Sequence, residues 1–375
     1  MTRLYFDHNA TTPIKPAAVQ AMTDALALAG NPSAQHSEGR AASAAVSKAR
    51  EAVGLAMGVC AQDIIFTSGG TEANNTAVFS AWTAGCRKML FSAADHPATY
   101  RAAEQWGCPH EFIPVDANGI TDIVLLKSRL ETWDAADGRP FVSVAAANSE
   151  TGVIQPVEAI ADLVSEAGGL LLVDAVQALG KIRMDFDADY MSVSAHKVGG
   201  PKGVGALYVS PDAPFQSLMC GGGQERRRRA GTMNVAAIAG FGAAVDDHGD
   251  MKTVAALRDA LEAGLQVMES QITIFGRGAD RLPNTSFFAV PDAGSMTLMM
   301  QLDLAGIAVS TGTACSSGKT GESRVLQAMG IADKAPKGAL RVSLCGETSQ
   351  ADIDTFLSAW AKVRRIKANP MKAAE

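Results

Sequence analysis

Short apolar runs alternate along this chain with longer stretches in which apolar residues recur at helical spacing. The runs predict strands and the spaced stretches predict helices. A regular alternation of these elements predicts an α/β fold, with a mostly parallel sheet flanked by helices. The predicted strands are 63–67, 89–91, 141–146, 170–174, 189–194 and 205–209, and the clearest helices are 40–57 and 71–82.

A second, smaller set of elements follows toward the C-terminus. A long helix is predicted over 251–270, with Val254, Leu257 and Leu261 on one face. Two further strands, 284–290 and 339–344, belong to the same region. We expect a smaller C-terminal α/β lobe. The predicted division is an N-terminal segment 1–14 that packs with the small domain, a large domain 15–255 and a small domain 256–375.

Composition narrows the class of protein. A chain of 375 residues with 47% hydrophobic content can bury a large core. With 33 basic and 39 acidic residues its net charge is −6, which argues against a general nucleic-acid binder. It contains no apolar run of the roughly 18 residues that a membrane span needs, and residues 1–7 do not predict a signal peptide. Six cysteines without CxxC spacing disfavour a zinc site and fit a reducing cytoplasm.

Two neighbouring strand ends carry the most informative chemistry. The apolar run 170–173 delivers Asp174 at its carboxyl end, and the strand that ends at Ser194 is followed by His196 and Lys197. In a parallel sheet these ends meet at the edge where ligands bind. A lysine amine that forms a Schiff base and a carboxylate that keeps a ring nitrogen protonated are what pyridoxal 5′-phosphate (PLP) requires. Alone the pattern is weak, because buried aspartates and surface lysines are common.

The segment 67–75 joins a strand to a helix through Gly69 and Gly70. Free backbone N–H groups at the helix start, together with the Thr71 hydroxyl, would bind a phosphate. The alternative is an ordinary capping turn with Ser68 or Thr71 as the cap.

Other polar residues follow predicted strands. His96 can be structural or can supply an aromatic ring to a cofactor. Asn148 and Gln177 can bind a cofactor oxygen, and the alternative for Asn148 is a turn cap. The arginine run 226–229 is typical of a solvated or interface loop, although its flanking glycines and Gly231-Thr232 favour a loop that approaches an anion.

One cysteine differs from the rest in its surroundings. Cys315 lies in the polar, Gly-rich segment 310–321, which predicts an exposed, mobile loop. An exposed thiol in such a loop is typical of a nucleophile, whereas core cysteines sit among apolar neighbours. Cys345, which follows a predicted strand, is the weaker second candidate.

Taken together these segments resemble the PLP-dependent cysteine desulfurases of the class-V aminotransferase superfamily, fold type I. The resemblance runs from 5–13 and 30–36 through the Gly-Thr-Glu-x-Asn-Asn, Ser-x-His-Lys and cysteine-loop motifs to 340–344. It covers nearly the whole chain, with the motifs in the family's order. The length of the cysteine loop resembles that of the nitrogen-fixation and housekeeping desulfurases.

The resemblance implies a role for each candidate in binding the cofactor. Lys197 would hold PLP covalently, Asp174 would pair with its ring nitrogen, and His96 would stack on the ring and move protons. The other contacts would come from Gln177 and Asn148 on the ring's oxygen side, and from Gly70, Thr71, Ser194 and His196 at the phosphate.

The resemblance also implies a substrate, a product and a quaternary state. Arg341 would clamp the carboxylate of L-cysteine, with Asn148 beside it, and Cys315 would take the substrate sulfur as a persulfide and leave L-alanine. Thr232 would complete the phosphate site of the neighbouring subunit, which makes the enzyme a homodimer. The acceptor would be an iron–sulfur scaffold, and no metal is implied for the enzyme.

Three other functions remain open from the sequence. A selenocysteine lyase would use the same cofactor and clamp. A catalytically inactive scaffold would not need Lys197, Asp174, His96, Cys315 and Arg341 together. An aminotransferase would leave the loop cysteine without a purpose.

Overall fold

Seven strands form the central sheet of the computed structural model, which describes residues 3–246, 248–312 and 323–368, the last four as backbone only. In chain order they are β2 (Ile64–Thr67), β3 (Met89–Ser92), β4 (His110–Ile113), β5 (Phe141–Ala145), β6 (Leu170–Asp174), β7 (Tyr190–Ser194) and β8 (Gly205–Val209). Their spatial order is β2-β8-β7-β6-β5-β3-β4. Strand β8 runs antiparallel to both neighbours, and the remaining six share one direction.

The central sheet is buried on both faces, which explains why its strands are continuous apolar runs. Successive residues of β6 illustrate this: Leu171 and Val173 enter one hydrophobic core, whereas Leu170 and Leu172 enter the core on the opposite face. With neither face in solvent, the strands do not need the alternation of polar and apolar residues that half-exposed strands show.

Helices cover both faces of this sheet. Helix α3 (Gly70–Thr83) and α4 (Pro97–Gln105) contribute to one core. The other core receives α1 (Pro16–Leu26), α2 (Ser37–Met57), α5 (Ile123–Glu131), α6 (Val157–Glu166) and α7 (Val235–Ala244).

A four-stranded antiparallel sheet and its helices form a separate hydrophobic core. The sheet has the order β12 (Ser310–Thr311), β13 (Leu340–Ser343), β10 (Thr285–Ala289) and β9 (Thr273–Ile274). The helices of this core are α8 (Met251–Met268), α9 (Ser295–Leu304) and α11 (Gln350–Ala368), whereas α10 (Arg324–Ala328) packs in a further cluster with Ala94, Val115 and Phe287. At the centre of the core Trp360 stacks on Phe356 and meets Phe288 edge-on.

The start of the chain joins the hydrophobic core of the four-stranded sheet. Strand β1 (Leu4–Tyr5) pairs in parallel with β11 (Ile307–Ala308), and Phe6 packs among the same apolar side chains as α8. The division into 1–14, 15–255 and 256–375 remains a proposal, which these separate cores support.

The α/β architecture with a mostly parallel sheet is confirmed. Strands predicted as apolar runs agree with the structure to within one or two residues, and helix α8 ends at Met268, two residues before the predicted end. The pairing of β1 with β11 was not predicted, because its partners lie about 300 residues apart in sequence. No helix in the described part of the chain has the length and apolar character needed to span a bilayer.

Candidate active site

Lys197 lies directly beyond the carboxyl end of β7, in the short 3₁₀ turn Ala195–Lys197. Its Nζ donates to the backbone carbonyls of Asn9, at 2.6 Å, and of Ala10, at 2.9 Å. Because a lysine side chain is long and flexible, these two carbonyls determine where the nitrogen lies. The segment that supplies them comes from the start of the chain.

Asp174 lies at the carboxyl end of β6, the strand beside β7, and is buried. Its Oδ2 accepts a hydrogen bond of 2.9 Å from Nδ2 of Asn74, and its Oδ1 accepts one of 3.0 Å from the backbone N of Val176. Two donors hold the carboxylate in one orientation. Asn74, on α3, was not predicted as a site residue. An asparagine within an Ala-rich helical stretch was the signal in the sequence that could have identified it.

His96 is the N-cap of α4, and its Nδ1 accepts a hydrogen bond of 3.1 Å from the backbone N of Ala98. Burial lowers the pKa of His96, Asp174 opposes that effect, and Lys197 adds to it. A neutral ring whose Nδ1 accepts carries its proton on Nε2. His96 is therefore both the structural cap and a neutral imidazole within electrostatic reach of Asp174 and Lys197.

A pocket of about 410 Å³ lies at the N-terminus of α3. Its lining includes all four residues predicted to bind phosphate, Gly70, Thr71, Ser194 and His196. The first N–H groups of a helix have no acceptor within the helix and favour an anion. Gly70 is required here because a Cβ would lie 2.6 Å from Cγ2 of Val176.

His196 is neutral at the pocket wall. Burial, Lys197 and Lys202 lower its pKa to about 4. Its Nδ1 lies 3.2 Å from Oγ1 of Thr11. A neutral imidazole binds an anion as a hydrogen-bond donor and adds no charge.

Asn148 adopts the turn-cap arrangement that the sequence left open. Its Oδ1 accepts from the backbone N of Glu150 and of Thr151, each at 2.9 Å, and its Nδ2 donates to the carbonyl of Ala94 at 3.1 Å. The side-chain oxygen is thus committed to the turn, and the amide nitrogen keeps one N–H for a ligand.

Gln177 lies close to Lys197, because both donate to one acceptor. Its Nε2 donates to the carbonyl of Asn9 at 2.9 Å, and its Oε1 accepts from Nζ of Lys181 at 2.8 Å. Neither Asn9 nor Lys181 was predicted as a site residue, although both contribute to the placement of predicted ones.

Arg341 lies on β13 and is 2% exposed. Its Nη2 forms an ion pair with Asp7 at 2.7 Å, and its Nη1 donates to the carbonyl of Ser149 at 2.9 Å. Among the described residues, no acceptor meets its buried Nε. A buried guanidinium with an unpaired N–H is suited to bind a carboxylate.

Glu150, which was not predicted from the sequence, lies near Arg341. Burial raises the pKa of its carboxyl to about 7, against the lowering effects of Ser323, Arg341 and Arg324. The hydroxyl of Ser323 donates to its Oε2 at 2.6 Å. A Cβ on Gly312 would lie 2.8 Å from the same oxygen. Glu150 therefore contacts Ser323 and leaves no room for a side chain at Gly312.

Thr232 is exposed and does not line the pocket of its own protomer. Cys315 lies outside the described residues.

Three described cysteines, buried Cys86 and Cys108 and partly buried Cys345, have thiols that resist ionisation. Burial raises the pKa of Cys86 and of Cys345 to about 11, and that of Cys108 to about 12. Their thiols hardly ionise near neutral pH, and a nucleophile needs the thiolate. This finding weakens Cys345 as the second candidate nucleophile.

Comparisons with known proteins agree on one family. The model of the class-V aminotransferase family matches residues 4–356. The chain is 43% identical over 373 residues to a cysteine desulfurase of Cereibacter sphaeroides, which covers 95% of this chain and 94% of that protein. A solved structure named NifS-like protein matches with a TM-score of 0.86 at 33% identity, over 98% of this chain and 100% of the other. A structure named SspA in complex with cysteine matches with a TM-score of 0.79 at 26% identity, over 93% and 100%.

Glu150→Gln tests the raised pKa of this carboxyl. The ordinary pKa is 4.5 and the folded value is about 7, so between them the folded protein holds a proton that the unfolded chain has released. The free energy of unfolding therefore falls as pH rises through this range. The variant does not titrate, so relative to wild type it should gain up to about 3 kcal/mol between pH 5 and pH 7.

Urea denaturation at pH 5, 6, 7 and 8 measures this difference. Exposed Glu166 supplies the control, because Glu166→Gln should follow the wild-type curve. Parallel curves for Glu150→Gln and wild type would show that the carboxyl is already ionised at pH 5.

Proposed function

The chain belongs to the class-V aminotransferase family, among its cysteine desulfurases, and from that premise we propose that it converts L-cysteine to L-alanine with PLP and a Cys315 persulfide. The observation that carries the proposal is the meeting of three features at one edge of the sheet. These are the Asp174 carboxylate, the Lys197 amine and the helix N-terminus with its pocket. Cysteine as substrate is supported by the ligand named for one similar solved structure.

The chemistry of the donor set fits PLP. Gly70, Thr71, Ser194 and His196 would bind the phosphate, which is the only part of the cofactor that carries two negative charges near neutral pH. Asp174 would accept a hydrogen bond from the protonated ring nitrogen, and Lys197 would bind the cofactor covalently. His96 would stack on the ring, while Gln177 and the remaining N–H of Asn148 would face its oxygen side.

PLP, when bound, supplies an electron-accepting ring that acidifies the substrate Cα–H and weakens the bond between Cβ and sulfur. Lys197 would be the base that takes the Cα proton of the substrate. Neutral His96 carries its own proton on Nε2 and can move a proton in the same site. Arg341 orients the substrate through its carboxylate.

Cys315 is the sulfur acceptor in this proposal. Its thiolate attacks the substrate sulfur, so that the sulfur–sulfur bond forms as the bond between sulfur and Cβ breaks. The bonding electrons stay with the carbon fragment, which takes up protons and leaves as alanine. One cysteine and one enzyme thiol thus become one alanine and one persulfide.

We propose that the persulfide passes to an iron–sulfur scaffold and that the enzyme works as a cytoplasmic homodimer. The five described cysteines are free thiols, which supports a reducing compartment. Appearance of labelled sulfur from cysteine in a cluster assembled on a scaffold protein would check the acceptor.

Cys315→Ser is the direct test of the sulfur-transfer step. The variant should retain PLP and still change its absorbance spectrum when cysteine is added, but it should not release alanine, because no thiolate takes the sulfur. The exposed Cys60 supplies the control, since Cys60→Ser should turn over like wild type.

Peptide mass mapping after brief labelling with cysteine and an alkylating probe should place the additional sulfur on Cys315. An additional sulfur on Cys345, or normal turnover by Cys315→Ser, would overturn the persulfide assignment while leaving the cofactor assignment intact.

Arg341→Lys should raise the KM for cysteine, since one ammonium cannot reproduce a two-pronged contact with a carboxylate. A charged contact of this kind contributes roughly 1.5–3 kcal/mol, which corresponds to about ten- to a hundredfold in KM. Steady-state kinetics at a fixed pH measures it. An unchanged KM would mean that another residue holds the carboxylate.

Thr232→Ala tests the shared phosphate site. If the hydroxyl reaches the partner's cofactor, the variant should release PLP faster than wild type, and dilution below the dimer dissociation constant should lower cofactor occupancy. Sedimentation together with cofactor absorbance measures both quantities, and Thr355→Ala, at an exposed position on α11, is the control. A fully loaded and active monomer would contradict the shared site.

A further inference from the structure

Lys181 lies four residues after Gln177 and is the cation closest to its side chain. Its Nζ donates to Oε1 of Gln177 at 2.8 Å and to Oδ1 of Asn9 at 3.3 Å. Among the described residues no carboxylate forms an ion pair with it. Both of these partners are neutral amide oxygens, an uncommon arrangement for a partly buried lysine.

The surroundings of Lys181 make its charge costly. Burial, Lys197 and Arg341 lower the pKa of its amine to about 7. A cation that is needed only for packing would be replaced by an apolar side chain at lower cost. Its two hydrogen bonds therefore indicate a specific role.

The first consequence concerns Gln177. A lysine amine at this position donates, so the Gln177 amide must present its oxygen to Lys181. The amide nitrogen then points the opposite way and donates to the carbonyl of Asn9 at 2.9 Å. That carbonyl is also the acceptor for Nζ of Lys197, at 2.6 Å.

The second consequence concerns Asn9 itself. Lys181 and Nδ2 of Asn284 both donate to its Oδ1, so its Nδ2 faces Oγ1 of Thr285, at 2.8 Å. The backbone N of Asn9 donates to Oγ of Ser343 at 2.9 Å. With its amide orientation determined, the carbonyl that meets Lys197 cannot turn away without breaking these contacts.

We propose that Lys181 is a positioning residue for Lys197, which acts through the side chain of Gln177 and the backbone carbonyl of Asn9. The inference rests on the proposed function, in which Lys197 is the amine that holds PLP and moves the substrate proton. Lys181 acts in this arrangement through its contacts with Gln177 and Asn9. Its effect is to keep the Lys197 nitrogen where it must return after every turnover.

Two substitutions separate this role from simple packing. Lys181→Met keeps a similar volume and removes the donor, whereas Lys181→Arg keeps donors and adds bulk. A positioning role predicts that Lys181→Met is the more damaging of the two. A packing role predicts the reverse order. Lys127→Met, at an exposed site on α5, is the matched control.

The measurements are made on the PLP-loaded enzyme. Borohydride reduction followed by mass spectrometry gives the fraction of cofactor fixed to Lys197, and steady-state kinetics gives kcat and KM for cysteine. In Lys181→Met the fixed fraction should fall and kcat should fall about ten- to a hundredfold, since small displacements of a reacting group cost this much. KM should change less than about threefold, because Arg341 is untouched, and Lys181→Arg should recover most of the loss.

A double-mutant cycle checks the route through Gln177. In a Gln177→Met background, Lys181→Met should lower kcat less than it does in the wild-type background. The two fold-decreases in kcat should differ by at least about two- to threefold, as expected for coupled neighbours. Three results would each overturn the inference. These are independent effects of the two substitutions on kcat, a lower kcat in Lys181→Arg than in Lys181→Met, and wild-type values in Lys181→Met. If Lys197 in the wild-type enzyme is not fixed to PLP at all, the proposed function fails instead.

Discussion

The backbone carbonyl of Asn9 is the contact on which the arrangement of this site depends. It accepts hydrogen bonds from Lys197 and Gln177, which lie at the edge of the seven-stranded sheet. The side chain of Asn9 forms hydrogen bonds with Asn284 and Thr285, at the start of β10 in the four-stranded sheet. One buried residue near the start of the chain therefore ties together two hydrophobic cores. Because the partners of Asn9 lie in both cores, a displacement of Asn9 would break hydrogen bonds on both sides.

Burial controls the charge state of the groups around this contact. It raises the pKa of Asp95 to about 8 and that of Glu150 to about 7, and it lowers those of Lys181, His96 and His196. Shifts of this kind cost stability and are concentrated where proteins do chemistry. The Asp174 carboxylate accepts from Asn74 and Val176 on separate oxygens, as the Asp95 carboxyl accepts from Ser143 and Ala145. Two donors thus hold the Asp174 carboxylate in one orientation, and burial keeps His96 and His196 neutral.

The sequence predicted the parts of this site that depend on local pattern. Strands buried on both faces are continuous apolar runs, so the amino-acid pattern alone assigned Asp174 and Lys197 to adjacent strand ends. Gly70 was predictable because a strand-to-helix turn with glycines has a specific backbone requirement. Asn9 and Lys181 were not, since their roles come from contacts across as many as 334 residues of sequence, as between Asn9 and Ser343. The turn-cap contacts of Asn148 and the ion pair of Asp7 with Arg341 likewise depend on tertiary structure.

The charge balance around Arg341 follows from the same tertiary contacts. The ion pair with Asp7 already offsets the positive charge of the Arg341 guanidinium. Binding of an anionic substrate there is therefore favoured only if another cation lies nearby or if no second anion does. Glu150 would be that anion if it were ionised, but burial raises its pKa to about 7 and favours its neutral form. Arg324, which opposes this shift, contributes positive potential without pairing to Glu150. Partial protonation of this carboxyl lowers its negative charge beside Arg341, whose unpaired Nε can then meet a carboxylate ligand with less repulsion.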